Sequence, residues 1–170
     1  MKKFLLLLDG MMASGKSTVS NVLKEKLPRT AIIGMDSVKH YLTDLERGKR
    51  DNLIGRKVVI EMAKKFLEVD ISVIIEQPIS KEEVEIYEKI SKDFSATYHK
   101  FQLFTSPEIA FDRAIKRQVG RKDPHSEERI KRNIGLFRNR ADEGFETIDS
   151  TEKSPEEIAG EILTALKSNS

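Results

Sequence analysis

The chain has 170 residues, a length that one domain with a single core accommodates while burying roughly two-thirds of its unfolded surface. Thirty Lys and Arg against 28 Asp and Glu leave a formal net charge of +2, which excludes a large uniform basic field for a long nucleic acid but not a local patch. There is no Cys, which excludes disulfides, thiolate catalysis and Cys-ligated zinc, and the three His residues (His40, His99 and His125) are too dispersed for a metal cluster.

The opening Met1-Lys2-Lys3 and the apolar run Phe4-Leu5-Leu6-Leu7-Leu8 have the flavour of a secretion signal, but Asp9 cuts the run short. No other stretch approaches a membrane span. The run is read as a central buried strand, and a cytoplasmic protein with no membrane partner is the expectation. It leads into Gly10-Met11-Met12-Ala13-Ser14-Gly15-Lys16-Ser17, and Val19, Val22, Leu23 and Leu27 follow at helical spacing.

Strand, loop and helix in that order frame the pattern G-x-x-x-x-G-K-[ST]. Glycines at both ends let the main chain curl so that successive N–H groups point at phosphate oxygens, and the new helix adds its unpaired first-turn amides and positive dipole end. Lys16 supplies a cation for the β- and γ-phosphates, and Ser17 offers a hydroxyl to Mg²⁺, which takes few protein ligands. Average residue usage gives such a match by chance with a probability on the order of one per cent. The nucleotide-binding set expected here is Gly10, Ala13, Ser14, Gly15, Lys16, Ser17 and Thr18, with ATP and Mg²⁺ as cofactors.

After a helix end near Leu27-Pro28, Thr30 to Met35 reads as a short strand stopping at Asp36-Ser37. Val38, Tyr41, Leu42 and Leu45 then begin a helix that runs into the charged break from Glu46 to Asp51. Ile54, Val58, Val59, Met62, Ala63, Phe66 and Leu67 form one apolar helical stripe. Ile71 to Ile75 is a strand covered on both faces, ending at Glu76. Val84, Tyr87, Ile90 and Phe94 mark another helix, and Tyr98 to Phe104 a fourth strand. A helix from about Pro107 to Gln118 leads to Gly120. The charged stretch from Arg121 to Arg140 carries only Ile130, Ile134 and Phe137 as a thin stripe, which predicts loose packing as in a mobile lid. Phe145 to Asp149 is polar enough for an edge strand, and Ser154-Pro155-Glu156-Glu157 opens the last helix with a cap, a first-turn proline and two acids.

Strands alternating with helices give an α/β domain with a mainly parallel sheet. Over nearly its whole length the chain resembles the small P-loop kinases of the nucleoside-monophosphate-kinase-like group. That resemblance implies a three-layer P-loop NTPase fold: a five-stranded parallel sheet in the order 2-3-1-4-5, helices on both faces, and a helical lid at about residues 118–141 within a single domain spanning 1–170. Met35-Asp36-Ser37-Val38-Lys39-His40, Arg50 to Ile54 and Ala63-Lys64-Lys65-Phe66 are similar to the corresponding stretch of adenylylsulfate kinases, without a counterpart of their later substrate-binding segment. A strand-end aspartate like Asp36 also serves as base in polynucleotide 5′-hydroxyl kinases and in antibiotic-phosphorylating relatives.

Asp36 is therefore either a base for an acceptor hydroxyl or the N-cap of the helix starting at Val38, and one residue could do both. Glu76 stands where P-loop proteins place an acid of the magnesium shell, so Ser17 and Glu76 are the metal candidates. Asp9 either hydrogen-bonds loop amides or faces the acceptor. Arg113 and Arg117 are four apart on one helix face, with Arg121 one turn on. The spacing resembles the start of the lid in adenylate kinases, which implies that Arg113 stacks on adenine and that Arg117 or Arg121 reaches phosphate. Lys122, Arg129, Lys131, Arg132, Arg138 and Arg140 read as a solvated basic face, His125 as a loop residue, and Tyr41, Tyr87 and Tyr98 as core. The tail resembles the final strand and loop of the same kinases, which implies that Ser150 to Lys153 lie beside adenine. The expected activity is transfer of the γ-phosphate of ATP to a hydroxyl of a small metabolite or nucleotide-like acceptor. A polynucleotide 5′-hydroxyl kinase, or a nucleotide-binding switch with a protein partner, is the alternative.

Overall fold

The protein is described by a computed structural model covering residues 2–45, 48–120 and 124–168. Leu5 to Leu8 are apolar at every position rather than alternating, so the strand they form, β1 (Phe4–Gly10), must be covered on both faces. It occupies the centre of a five-stranded sheet ordered β2-β3-β1-β4-β5, in which β2 is Thr30–Ile33, β3 Ser72–Glu76, β4 Thr97–Phe104 and β5 Glu146–Asp149. Every pairing is parallel; Leu6 sits opposite Ile74 on one side and His99 on the other. Order and direction are those the family resemblance implies, and β5 takes the edge that its polarity predicts.

Alternate residues of β1 build two separate cores. Phe4, Leu6 and Leu8 pack with Val19 and Leu23 of α1 (Lys16–Lys26) and with Ile158, Ile162 and Leu166 of the last helix, Pro155–Ser168. Leu5 and Leu7 face the opposite way. They meet Val59, Ala63 and Leu67 of the long helix Lys49–Glu68, and Val84, Tyr87 and Ile90 of the helix Lys81–Asp93. Numbered in chain order, these helices are α3, α4 and α7; between them lie α2 (Met35–Lys39), α5 (Pro107–Lys116) and α6 (Glu127–Gly135). No helix among the described residues is long and apolar enough to cross a membrane.

Three local readings need correction. The second strand stops at Ile33, because Gly34 already caps α2 and the Met35 amide is drawn to Gln77 Oε1 at 2.9 Å. The helix expected from Val38 through Leu45 ends at Lys39; Asp44 lies in the left-handed region at φ 53°, and Tyr41 is 84% exposed rather than core. The stripe Ile130 and Ile134 is not loosely packed. Both residues are buried against Met11, Ala110 and Ala114, and the Phe137 ring packs tilted against Phe104 with centroids 5.5 Å apart. Ser154 does open α7 with a reciprocal cap, exchanging hydrogen bonds with Glu157.

Gly34 fits because nothing larger can: a Cβ there would lie 2.2 Å from the Glu76 carbonyl oxygen. Gly34→Ala should lower stability by about 1–3 kcal/mol through this overpacking, read as a shifted urea midpoint with an unchanged slope.

Candidate functional site

At the carboxyl end of β1 the chain must leave the sheet and turn back into α1, and its conformation is set by backbone contacts. Gly10 adopts φ 147°, and a Cβ on it would come within 2.4 Å of Leu103 O, so glycine is required by both torsion and space. Ala13 and Gly15 continue the curl at φ 62° and 97°. Met11 N donates to Leu103 O and Ser14 N to Met11 O, at 3.1 and 3.2 Å. Gly15 caps α1 with no side-chain hydrogen bond, and Ser14 Oγ is buried without a partner. First-turn amides and one hydroxyl are thus left for an anion.

Lys16 folds its ammonium back into the curl, donating to Gly10 O at 2.8 Å and Met11 O at 2.9 Å. Burial pulls its pKa below the usual lysine value, against the opposing pull of Asp9, Glu76 and Asp36, while Arg117 adds to the lowering. Ser17 Oγ donates to Glu76 Oε1 at 2.8 Å. Burial lifts the Glu76 carboxyl above its ordinary range, and the Ser17 hydrogen bond and the Lys16 charge hold it back. A hydroxyl and a carboxylate converging beside a phosphate loop are hard oxygen donors suited to Mg²⁺.

Two cavities flank the loop. One, about 240 Å³, is lined by Ala13, Gly15 and Thr18 together with Arg113, Arg117 and Ser150. Arg113 donates to the carbonyls of Ser150 and Thr151 at 3.3 and 3.2 Å, and Ser150 Oγ donates to Ser14 O at 2.9 Å, so the turn after β5 is tied to the loop. Lys153 lines the same space. Arg121 and Lys122 lie outside the described residues.

The second cavity, about 630 Å³, takes in Lys16, Ser17, Glu76 and Asp36, with Arg56 and Arg129 further along its wall. Asp36 lies inside the first turn of α2, and Gly34 occupies the cap position, so Asp36 is not the N-cap. Its carboxylate, 78% exposed, is held by Lys39 Nζ at 2.7 Å, and the same ammonium reaches Asn52 Oδ1 at 2.7 Å.

Arg140 is also misread by the sequence as part of a solvated face. It is 3% exposed and donates to Asp9 Oδ2 at 2.8 Å, to Ile79 O and to Glu143, with its guanidinium 4.5 Å from the Phe145 ring centre. Asp9 Oδ1 accepts from Gly10 N at 2.7 Å, so the carboxylate does bond a loop amide. The sequence also misses a network under α2. Glu83, 5% exposed, accepts from Arg56, from Gln77 Nε2 at 2.8 Å and from Ser80 N at 2.7 Å, while Gln77 Oε1 holds Met35 N. The S-x-x-E cap at Ser80 and Glu83 was visible in the sequence, but nothing there links it to Arg56.

A model of the adenylylsulphate kinase family matches residues 2–116. No curated protein matches the sequence. Among solved structures, a candidate kinase of Chloroflexus aurantiacus is similar at 19% identity and TM-score 0.74, covering 99% of this chain and 98% of that one. A sugar kinase of a Janibacter species gives 17% identity and TM-score 0.68 over 97% and 95%. The Mycobacterium tuberculosis APS kinase in complex with AMPPNP and APS gives 19% and 0.63, with 98% of each chain covered. At such identities these structures speak for the fold.

Removing the Glu83 carboxylate strands three donors, Arg56, Gln77 Nε2 and Ser80 N. Glu83→Ala should cost about 2 kcal/mol, less than for a fully buried pair because Arg56 is partly solvated. Amide exchange at Met35 should accelerate more than exchange in β1, as followed by hydrogen–deuterium mass spectrometry.

Proposed function

The chain belongs to the adenylylsulphate kinase family, and on that premise we propose that it is an ATP- and Mg²⁺-dependent phosphotransferase whose acceptor is a hydroxyl of a small metabolite or nucleotide-like molecule. The observation that carries this reading is the pair of cavities meeting at the phosphate loop, with Ala13 in the wall of both. A transferase needs a donor compartment and an acceptor compartment on either side of the transferring phosphorus. The smaller space, with Arg113, Arg117 and the Ser150 turn, receives the nucleoside end of ATP; the larger receives the acceptor.

Lys16 exchanges two carbonyls for β- and γ-phosphate oxygens, a strong interaction in a site of low dielectric. Ser17 and Glu76 would hold magnesium, which when bound supplies positive charge against the triphosphate. Asp36, steadied by Lys39, orients the acceptor hydroxyl and takes its proton as the oxygen bonds to the γ-phosphorus. The bond from that phosphorus to the β–γ bridging oxygen breaks and ADP leaves. Residues of about 118–141 act as a lid that excludes water and brings Arg117, or Arg121, to the transferring group.

The charge state of the acceptor compartment favours a small acceptor over a nucleic acid. Lys39, Arg56, Arg138 and Arg140 are each paired with a carboxylate among the described residues, so most cations of this wall are neutralised locally, which weighs against a polyanionic acceptor. Its size also weighs against a switch that only hydrolyses ATP.

With labelled ATP and a panel of hydroxylated metabolites and 5′-hydroxyl oligonucleotides, transfer should appear on a metabolite. Lys16→Ala should reduce it by about a thousandfold while the protein stays folded, since deleting a buried ammonium relieves desolvation. Undiminished transfer rejects the loop assignment. For Asp36→Asn, kcat should fall about a hundredfold with ATP affinity held within about threefold. Equal turnover with the identified acceptor would remove Asp36 as the base.

A further inference from the structure

Asp9 is a buried acid beside a site that has to attract a polyanion. Its carboxylate and the Lys16 ammonium bracket a single residue, since Asp9 Oδ1 accepts from Gly10 N and Lys16 Nζ donates to Gly10 O. An unneutralised carboxylate in that place would compete with triphosphate for the ammonium and repel the incoming phosphates. Arg140 prevents this geometrically. It takes Asp9 Oδ2 at 2.8 Å while its own position is fixed by Ile79 O, Glu143 and the Phe145 ring. The backbone beside it is pinned as well: Gln102 accepts from Arg140 N at 3.1 Å and donates to Arg138 O at 3.0 Å.

We infer that Arg140 is a positioning residue of the phosphate site, holding the Asp9 carboxylate at the Gly10 N–H while Lys16 sits at the Gly10 carbonyl, so that Lys16 is free to bind a nucleoside triphosphate. The inference rests on the reading that the loop takes ATP. Arg140 acts through Asp9 and touches neither the nucleotide nor the acceptor in this role. The pair Asp9–Arg140 also fixes where the chain between α6 and β5 rejoins the sheet.

The test is a mutant cycle read as the dissociation constant of a non-hydrolysable ATP analogue with magnesium, measured by calorimetry. Arg140→Met keeps the length and packing of the side chain but frees Asp9, and should weaken binding by about tenfold or more. Asp9→Asn alone should change affinity by no more than about threefold, and in the Arg140→Met background it should restore most of the loss. A merely structural Arg140 predicts the reverse: the double variant binds as poorly as Arg140→Met, and that result overturns the inference. So does an Arg140→Met protein that binds like the parent. If Arg140→Met does not fold, Arg140→Lys decides, because its ammonium can still hold Asp9. Affinity within about threefold of the parent, beside a lowered melting temperature, supports the inference; a tenfold loss that Asp9→Asn does not reverse rejects it. A parent protein with no affinity for the analogue overturns the loop reading itself, and the inference with it.

Discussion

A lysine ammonium drawn out of water needs oxygen atoms to replace it, and here the phosphate loop supplies them from its own backbone. Lys16 rests on Gly10 O and Met11 O. Those carbonyls point inward only because Gly10 takes a torsion closed to other residues and Ala13 and Gly15 follow with positive φ. Burial lowers the tendency of Lys16 to stay charged, and Asp9, Glu76 and Asp36 counter it. Each of those acids then has to be held where it helps the cation without capturing it. Ser17 restrains Glu76, Lys39 restrains Asp36, and Arg140 restrains Asp9. Much of the molecule beyond the sheet can be understood as scaffolding for these three restraints.

The sheet in turn sets where they can be. Because β1 is the middle strand and is apolar on both sides, its carboxyl end opens between β3 and β4, and the acids at strand ends fall around one crevice. Glu76 arrives on β3 directly opposite Leu8. Leu103 on β4 provides the carbonyl that receives Met11 N and forbids a side chain at Gly10. Fold and site are joined at these few backbone contacts, which is why a strand-loop-helix pattern carries so much information.

What could be read from the sequence was what repeats or sits at fixed spacing. The run Leu5 to Leu8, the loop motif, the stripe from Ile54 to Leu67 and the Ser154 cap each encode local geometry within a few residues, and each is present in the structure. Alternation of strands and helices already implied parallel pairing, but strand order came only with the family resemblance, since periodicity says nothing of which strands are neighbours. The readings that failed share another cause. Tyr41 and Leu42 match a helical period, but the chain turns at Asp44 and never presents them to a partner. Arg140 looks like one cation among many because its partner Asp9 stands 131 positions away, and Arg56 gives no sign of its pairing with Glu83. Long-range charge pairs leave no local pattern, so a buried arginine and an exposed one are identical in the sequence.

The same pairings bear on how an acceptor is recognised. Once Lys39, Arg56, Arg138 and Arg140 have met their carboxylates, the second cavity keeps few uncommitted polar groups on the rigid side of the molecule. Gln77 and Gln102 are spent on Met35, Glu83, Arg138 and Arg140. Arg129, which has no ion pair among the described residues, and Asn133 line the cavity from α6. On the proposed reading, selectivity for the acceptor then depends on where α6 stands. A molecule that engages Arg129 and Asn133 is held between α6 and the loop, whereas one that reaches only the sheet side finds polar groups already satisfied. Recognition of the acceptor and cover of the loop then fall to one element, because the groups that would recognise it stand on the helix already packed against Met11 and Ala13.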